Sequence, residues 1–392
     1  MNISRKQLTA LFICSLVPWS VGNGLTPLLP VYAKQLGANS AVTGYYLAFS
    51  YIAIALGALS AGWVSDRLHR RKLPLIIAGL TGIPITLLMS HESTVLGLTI
   101  LTAFLWFFGG LGLALIGILT GLSAGENERG KIFGIVALTG GLGALVGGLG
   151  TGWLVDRWGY TVMFEVLAIF MALWPLSALL LEEREVKRSR LENAPAQTLP
   201  GLGKSFYLLF TASILSSTAS FFVVLIRSIL MNDLKFSPLE INSTGAIGGL
   251  IAMPFPFLMG WLSDRTGRKT FLYIGYLTAF AALVLLAFSK ALWNFWLVLA
   301  LQGITTGSAG IGNALVTDLV PRESLGKGLA VFNSAAWIGG VIGFAVAGYM
   351  LQNLGFVPAL IAGCCLAVAA MGLLIPIQDR FQKIGQPATP SN

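Results

Sequence analysis

The chain has 392 residues, of which 55% are hydrophobic and only 10% are charged, and its formal net charge is +9. Soluble domains carry about a quarter charged residues, so this composition excludes an ordinary soluble globular protein. The positive charge does not indicate nucleic-acid binding, because the basic residues are scattered over short segments between apolar runs, as expected at a membrane surface.

Twelve apolar runs are long enough to cross a lipid bilayer, for which about 20 residues are needed. Because backbone groups in lipid must be satisfied within the segment, each run is predicted to be an α-helix, and the fold class all-α membrane protein. The spans, numbered one to twelve in chain order, are 8–32, 40–62, 73–91, 94–122, 131–152, 160–181, 206–230, 240–261, 270–289, 292–318, 327–351 and 355–377.

A nine-residue phrase occurs twice at an offset of 198 residues, as GWVSDRLHR at 62–70 and as GWLSDRTGR at 260–268. Each copy lies where an apolar run meets a short basic loop. A repeat of about half the chain predicts two six-helix bundles in the same membrane orientation. We expect an N-terminal bundle at 1–181, a cytoplasmic linker at 182–205, and a C-terminal bundle with a short tail at 206–392.

Lys and Arg are distributed unequally between the two sides of the membrane. If the N-terminus is inside, 20 of these residues lie in inner segments and 4 in outer loops, and Arg227 lies within a span. Cytoplasmic loops carry the excess of Lys and Arg. The sequence therefore predicts a multi-pass protein of the cell (inner) membrane with both termini in the cytoplasm.

The repeated phrase resembles the loop signature of the major facilitator superfamily, G-x-x-x-D-R-x-G-R-[RK]. The second copy matches it through Gly260, Asp264, Arg265, Gly267, Arg268 and Lys269. The first copy matches through Gly62, Asp66, Arg67, Arg70 and Arg71, with His69 in place of the glycine. The resemblance covers essentially the whole chain, and it implies two parallel six-helix bundles that move about a central substrate site.

The signature residues are predicted to act as a gate. A helix N-terminus stabilises a nearby carboxylate, so Asp66 could tie the first half to the N-terminus of span eleven. Asp264 would do the same at span five. Such contacts would favour the outward-open state. The alternative is that these residues only set topology, and the arginines can do both.

Two stretches are similar to the twelve-span drug:proton antiporters of this superfamily. LPVYAKQLG at 29–37 resembles that group's first-helix motif. Gly134, Gly143 and Gly147 have the spacing of its span-five glycine motif, although Gly148 replaces the proline and Thr151 one of the closing glycines. This resemblance favours export over uptake.

In the superfamily the cavity is lined mainly by spans one, four, seven and ten. Polar and aromatic residues there are the cavity candidates, although single aromatics are more often packing residues. They are Trp19, Asn23, Trp106, Phe107, Phe108, Phe221, Phe222, Gln302, Thr305 and Thr306. Because spans one and four carry no charge, we expect a neutral or singly charged amphipathic substrate.

Three ionisable residues within spans are candidates for function because burying them is costly. Glu165 is the candidate for proton coupling, with a local pair to Arg157 as the alternative. Arg227 is expected to snorkel to the outer interface. Asp318 is expected to pair with a loop arginine such as Arg322.

The predicted function is proton-coupled export of small amphipathic compounds by alternating access. Uptake or facilitated diffusion of a small neutral solute is one alternative, and a non-translocating receptor is another. No phosphate-binding or hydrolase motif occurs, so the chain is not expected to be an enzyme. No cofactor, metal or nucleic-acid partner is predicted; the expected partners are a small molecule, the proton gradient and the lipid bilayer.

Overall fold

The computed structural model describes residues 3–68, 70–123, 128–182, 201–321 and 324–377, and all regular elements in these residues are helical. The predicted all-α class is therefore confirmed. The helices are α1 (Arg5–Gln35), α2 (Ser40–Leu68), α3 (Lys72–His91), α4 (Val95–Ser123), α5 (Arg129–Met171), α6 (Leu173–Leu179), α7 (Lys204–Asp233), α8 (Pro238–Ala252), α9 (Phe255–Thr266), α10 (Arg268–Ala287), α11 (Leu292–Gly307), α12 (Ala309–Leu319), α13 (Leu325–Asn353) and α14 (Phe356–Leu374).

The described helices include eleven stretches long and apolar enough to cross a membrane. One of them, Lys131–Leu179, has 49 residues and covers both span five and span six. These two spans separate at Gly159, whose φ of 82° lies in the left-handed region that glycine adopts without strain. With that division the helices correspond to the twelve predicted spans.

Spans eight and ten are each interrupted near their middle. Span eight consists of α8 and α9, which meet at Met253 and Pro254. Proline has no backbone N–H and cannot continue the hydrogen-bond ladder, which accounts for this break. Span ten consists of α11 and α12, which meet at Ser308. Both interruptions lie in the second half of the chain.

Equivalent helices pack together in the two halves. In the first half span one packs most extensively on span five, and span two on span four. Their counterparts in the second half are the pairs seven with eleven and eight with ten, which also pack together. Span five contacts span eight, and span two contacts span eleven, so two long seams join the halves. The fold is thus two six-helix bundles with equivalent helix pairs in contact.

The repeated signature places 62–72 and 260–269 at one end of the bundle, called here the signature end. The residues 34–40, 152–156, 233–239 and 348–353 lie at the other, called here the opposite end. Each span runs from the signature end to the opposite end. The packing between the two halves can therefore be compared at the two ends.

Candidate functional site

The seam between spans five and eight is tightly packed toward the opposite end. A Cβ added to Gly152 would lie 2.7 Å from the Cα of Leu239 and 3.0 Å from the carbonyl oxygen of Pro238. A Cβ on Gly148 would lie 3.1 Å from the carbonyl oxygen of Asn242. Only glycine allows backbones to approach this closely, as is common between membrane helices.

The seam between spans two and eleven is packed in the same way. A Cβ on Gly348 would lie 2.7 Å from the Cα of Gly44 and 2.7 Å from the carbonyl oxygen of Ser40. Nearer mid-depth, Tyr51 of span two packs edge-on against Phe344 and Phe221, with ring centroids 5.0 and 4.9 Å away. Both seams are therefore closed from the opposite end to about the middle of the spans.

Polar contacts cross the closed region. The amide of Asn242, on span eight, donates to the carbonyl oxygen of Gly24 at 3.0 Å and to the hydroxyl of Thr151 at 2.7 Å. Lys34 and Asp233, at the ends of spans one and seven, form an ion pair with an N–O distance of 2.9 Å. These contacts join the first half of the chain to the second.

The signature end is more loosely packed. A Cβ on Gly62, Gly134, Gly260 or Gly326 would meet no heavy atom within 4 Å, and these four glycines lie near the signature ends of spans two, five, eight and eleven. They are the same four spans that form the two seams. The spans of each seam therefore come close at the opposite end, while their glycines at the signature end have open space around them.

The structure describes the side chains of some signature residues but not of others. Arg67 lies over the ring of Trp63, with Cζ 5.3 Å from the ring centroid, and Arg265 lies over Trp261 at 4.0 Å. Arg70 is exposed and Arg71 half-buried. The side chains of Asp66 and Asp264 lie outside the described part of the structure. Their predicted contacts with spans eleven and five remain predictions.

Basic residues at the start of spans three and nine bind within their own half. Lys72 donates to the carbonyl oxygens of Leu179 and Leu181 at 2.7 and 2.8 Å, at the end of span six. Lys269 donates to the carbonyl oxygen of Ile375, at the end of span twelve, at 2.8 Å. In each half a lysine thus donates hydrogen bonds to backbone carbonyls at a helix C-terminus, where carbonyls have no partner within the helix.

Asp318 forms the ion pair that its position suggested, but with a different arginine. Its carboxylate lies 2.7 Å from Nη1 of Arg268, a signature residue, and both side chains are largely buried. Arg322 lies outside the described residues. The pair joins the start of span nine to the end of span ten, both in the second half.

The candidate cavity residues of spans one and four differ in exposure. Trp19 is 39% exposed although it lies halfway along span one, which is packed among other spans. Asn23 donates to the carbonyl oxygen of Gly140 on span five at 3.2 Å. Phe107 and Phe108 are half-buried and form a T-shaped pair with centroids 5.4 Å apart, whereas Trp106 lies in the hydrophobic core.

In the second half, too, some cavity candidates are buried and others are partly exposed. Phe222 is fully buried in the core, and Phe221 packs against Tyr51 in the seam. Gln302 is 6% exposed and its Nε2 has no hydrogen-bond partner within the described residues. Thr305 bonds to Thr278 of span nine at 3.0 Å, and Thr306, which is exposed, donates to the carbonyl oxygen of Gln302. Sequence reasoning missed Tyr51, because its span is not one of the four expected to line the cavity.

Arg227 does not snorkel, so that expectation was wrong. It is 1% exposed, and its guanidinium donates to the hydroxyl of Thr244 at 2.6 Å and to that of Ser228 at 3.3 Å. Its Nε has no partner, and no carboxylate forms an ion pair with it among the described residues. The hydroxyl of Thr244, on span eight, thus binds the guanidinium inside the protein.

Glu165 lies half-buried in span six. It forms neither a hydrogen bond nor an ion pair in the part of the chain that the structure describes, and the alternative pair with Arg157 is absent there. The structure does not bring Glu165 together with the cavity candidates.

Comparison with known proteins agrees with this architecture. The sequence profile of the Major Facilitator Superfamily matches residues 10–208 and again 208–391. The multidrug resistance protein MdtG of Klebsiella pneumoniae (strain 342) is 23% identical over 370 residues, which cover 90% of this chain and 88% of that protein.

Among solved structures, the nucleoside transporter NupG superposes with a TM-score of 0.75 at 17% identity, covering 95% of this chain and 98% of NupG. A POT family transporter in complex with 5-aminolevulinic acid gives 0.77 at 15% identity, covering 94% and 95%. At these identities the likeness concerns the fold alone. The profile, which spans both halves, shows that the chain belongs to the Major Facilitator Superfamily and is a multi-pass membrane transporter, not an enzyme.

Proposed function

We propose that this transporter exports small amphipathic compounds by alternating access, driven by the proton gradient. The observation that carries the proposal is the unequal packing of the two ends around an exposed, mid-span Trp19. Trp19 lies halfway along a span that packs among other spans, and its exposure is consistent with an open space beside it. A cavity closed at one end and open at the other is the arrangement that alternating access requires.

The chemistry of the candidate cavity supports an amphipathic substrate. Spans one and four have no charged residue over 8–32 and 94–122, and Arg227 is turned into the protein. Aromatic rings and the amides of Asn23 and Gln302 can hold an apolar body with a few hydrogen bonds. A polyanion would need basic partners here, because an unpaired buried charge is costly. The substrate is therefore neutral or singly charged.

Export is favoured by the similarity to a multidrug resistance protein over 90% of the chain. Uptake of a small neutral solute is the second candidate, favoured by the likeness of the fold to a nucleoside transporter. The signature end is proposed to be cytoplasmic and the protein to lie in the inner membrane. On this topology the structure is the inward-open state.

We assign the signature acids the role of stabilising the other state. Asp66 would cap the N-terminus of span eleven and Asp264 that of span five when the signature ends come together. The halves, 1–181 and 206–392, would rock about the cavity, and 182–205 would connect them. Arg67, Arg70, Arg71, Arg265, Arg268 and Lys269 would set topology and position these ends.

Flux into proteoliposomes tests transport and its direction. We expect saturable movement of a singly charged fluorescent amphipathic dye when a pH gradient is imposed, and none of a polyanionic metabolite. The matched control is the Gly348→Val protein, which should bind the dye without moving it. Dye binding by the unaltered protein without flux would support a receptor, and flux that ignores the pH gradient would support facilitated diffusion.

Proton coupling is tested at Glu165, the acid farthest inside a span. The Glu165→Gln protein should still bind the dye but lose gradient-driven export, because a proton can no longer be carried there. Arg157→Gln is the control for a merely structural change nearby. Export with undiminished pH dependence in Glu165→Gln would remove this residue from the mechanism.

Topology is tested with single cysteines in a cysteine-free background. Arg190→Cys should react with a membrane-impermeant maleimide only from the cytoplasmic side, and Lys290→Cys only from outside. Reaction of Arg190→Cys in intact cells would reverse the assignment of the two ends.

A further inference from the structure

The start of span eight is completed by a residue from the other half. Four backbone N–H groups at a helix N-terminus have no partner within the helix. Here Ser237 N donates to the Glu240 carboxylate at 2.7 Å, Pro238 has no N–H, and Glu240 N donates to the Ser237 hydroxyl at 3.2 Å. That leaves the N–H of Leu239, which lies 3.3 Å from both carboxylate oxygens of Asp156 at the end of span five.

The start of span two is completed in the same way. Asn39 caps this helix, since its side chain accepts from Val42 N at 2.9 Å and its carbonyl from Thr43 N at 3.0 Å. The N–H of Ser40 donates instead to the Oε1 atom of Gln352, at the end of span eleven, at 3.1 Å. Each half thus supplies one acceptor to a helix N-terminus of the other half.

The two contacts occupy equivalent positions of the repeat. Asp156 and Gln352 are 196 residues apart, and each lies four residues, about one helical turn, after a seam glycine, Gly152 or Gly348. The glycine lets the partner helix approach, and the acceptor one turn later lies against its first N–H groups. The two acceptors differ in charge, because one is a carboxylate, which faces the second residue of its helix, and the other is an amide, which faces the first.

We propose that Asp156 and Gln352 are an unequal pair of clasps, called here the end clasps, that stabilise closure of the opposite end. The carboxylate is the stronger of the two because it also interacts with the positive end of the helix dipole, whereas the amide offers only a hydrogen bond. The proposal rests on alternating access but not on the substrate, the driving ion or the direction of transport. It concerns positioning residues that hold one state of the cycle.

The clasps can be tested without a substrate, by measuring how often the opposite end opens. Gly245 is a suitable reporter position, because a Cβ there lies 3.8 Å from Cγ of Pro27 on span one of the other half, in ordinary contact. In a protein lacking Cys14, Cys364 and Cys365, the Gly245→Cys thiol should react with an impermeant maleimide from the opposite-end side only when that end is open.

Asp156→Ala should raise the labelling rate at Gly245→Cys about tenfold, and Gln352→Ala about threefold, since charged acceptors are worth more than neutral ones. Asp156→Asn keeps an acceptor oxygen, so its labelling rate should lie between those of the unaltered protein and Asp156→Ala. Gln352→Glu should lower the rate below that of the unaltered protein by adding a carboxylate at the weaker clasp. A merely structural role for these residues would not predict that last decrease.

Asn353→Ala is the matched control, because that side chain is exposed and, among the described residues, donates only to Tyr349 of its own helix, at 2.9 Å. Gly348→Val is the steric reference that forces the seam apart. If Gly348→Val raises labelling but Asp156→Ala and Gln352→Glu leave it unchanged, the proposed role of the end clasps is wrong. That result would not contradict alternating access. If no variant changes labelling in protein that remains folded by size-exclusion chromatography, both proposals are overturned.

Discussion

The two ends of the transporter are held by different kinds of contact. At the opposite end the halves meet through backbone: Gly152 against Leu239, and Gly348 against Gly44. At the signature end the described contacts include charged side chains that bind within their own half, as Arg268 does with Asp318 and Lys269 with Ile375. The contacts between the halves at the opposite end thus depend largely on shape, whereas these charges at the signature end join helices of one bundle.

The largest effect should come from blocking the shape-dependent closure. Gly152→Val places a branched side chain against Leu239 and Pro238, and overpacking of this kind costs about 1–3 kcal/mol. We expect transport to fall about tenfold or more. Gly150→Val is the control on the same helix, because a Cβ at Gly150 meets nothing within 4 Å. Equal loss in both variants, measured by dye flux, would show that helix propensity and not the seam is responsible.

Breaking the proposed contacts of the signature acids should shift the population toward the state in which the signature end is open. Asp66→Asn and Asp264→Asn each remove a charge-assisted contact worth about 1–3 kcal/mol in the state where the signature ends meet. Transport should fall strongly at near-normal expression, and labelling from the signature end should rise. If both variants transport normally, the signature acids set topology alone, and their proposed role in closing the signature end is wrong.

Charges that bind within one half should affect stability without gating. Asp318→Asn removes the ion pair with Arg268, and because both side chains keep some exposure we expect a loss of about 1–2 kcal/mol in unfolding free energy. Thermal unfolding in detergent measures this loss. The labelling rate of Gly245→Cys should stay within about twofold of the unaltered protein. An increase comparable to that of Asp156→Ala would mean that this pair is coupled to the gate.

A small effect is expected at the solvent-exposed ion pair between the halves. Lys34 and Asp233 have side-chain exposures of 25% and 55%, and exposed ion pairs contribute about 0.2–1 kcal/mol. Lys34→Gln should therefore change opposite-end labelling less than about fivefold. The remaining difference from the unaltered protein should shrink in about 0.5 M salt, which screens exposed charges. A large effect that persists in salt would indicate that this pair holds the seam itself.

The sequence was sufficient for the fold because membrane spans are long, apolar and repeated. The duplicated phrase at 62–70 and 260–268 predicted two similar bundles, and the profile match over both halves agrees with it. The breaks at Pro254 and Ser308 were not predicted, since a hydropathy pattern is insensitive to a local change in backbone direction.

The site was less predictable, because residue type does not reveal which side of a helix is covered. Arg227 was expected at an interface, and only the packing of span eight shows that it is enclosed. Trp106 and Trp19 are the same residue type on neighbouring cavity spans, yet one lies in the core and the other is accessible. The end clasps carry no sequence signal of their own, since an Asp and a Gln at helix ends are common.

Arg227 also has an electrostatic consequence for ions. Its guanidinium is a buried cationic group that lies about 9 Å along the helix from Asp233, near the closed seam. At an effective dielectric constant of about 20, a second cation about 8 Å away is raised in energy by about 2 kcal/mol. Fixed arginine charges exclude cations from other membrane pores in this way. A proton or other cation that entered from the opposite end would therefore meet a repulsive field beside Arg227 as well as the steric barrier of the closed seam.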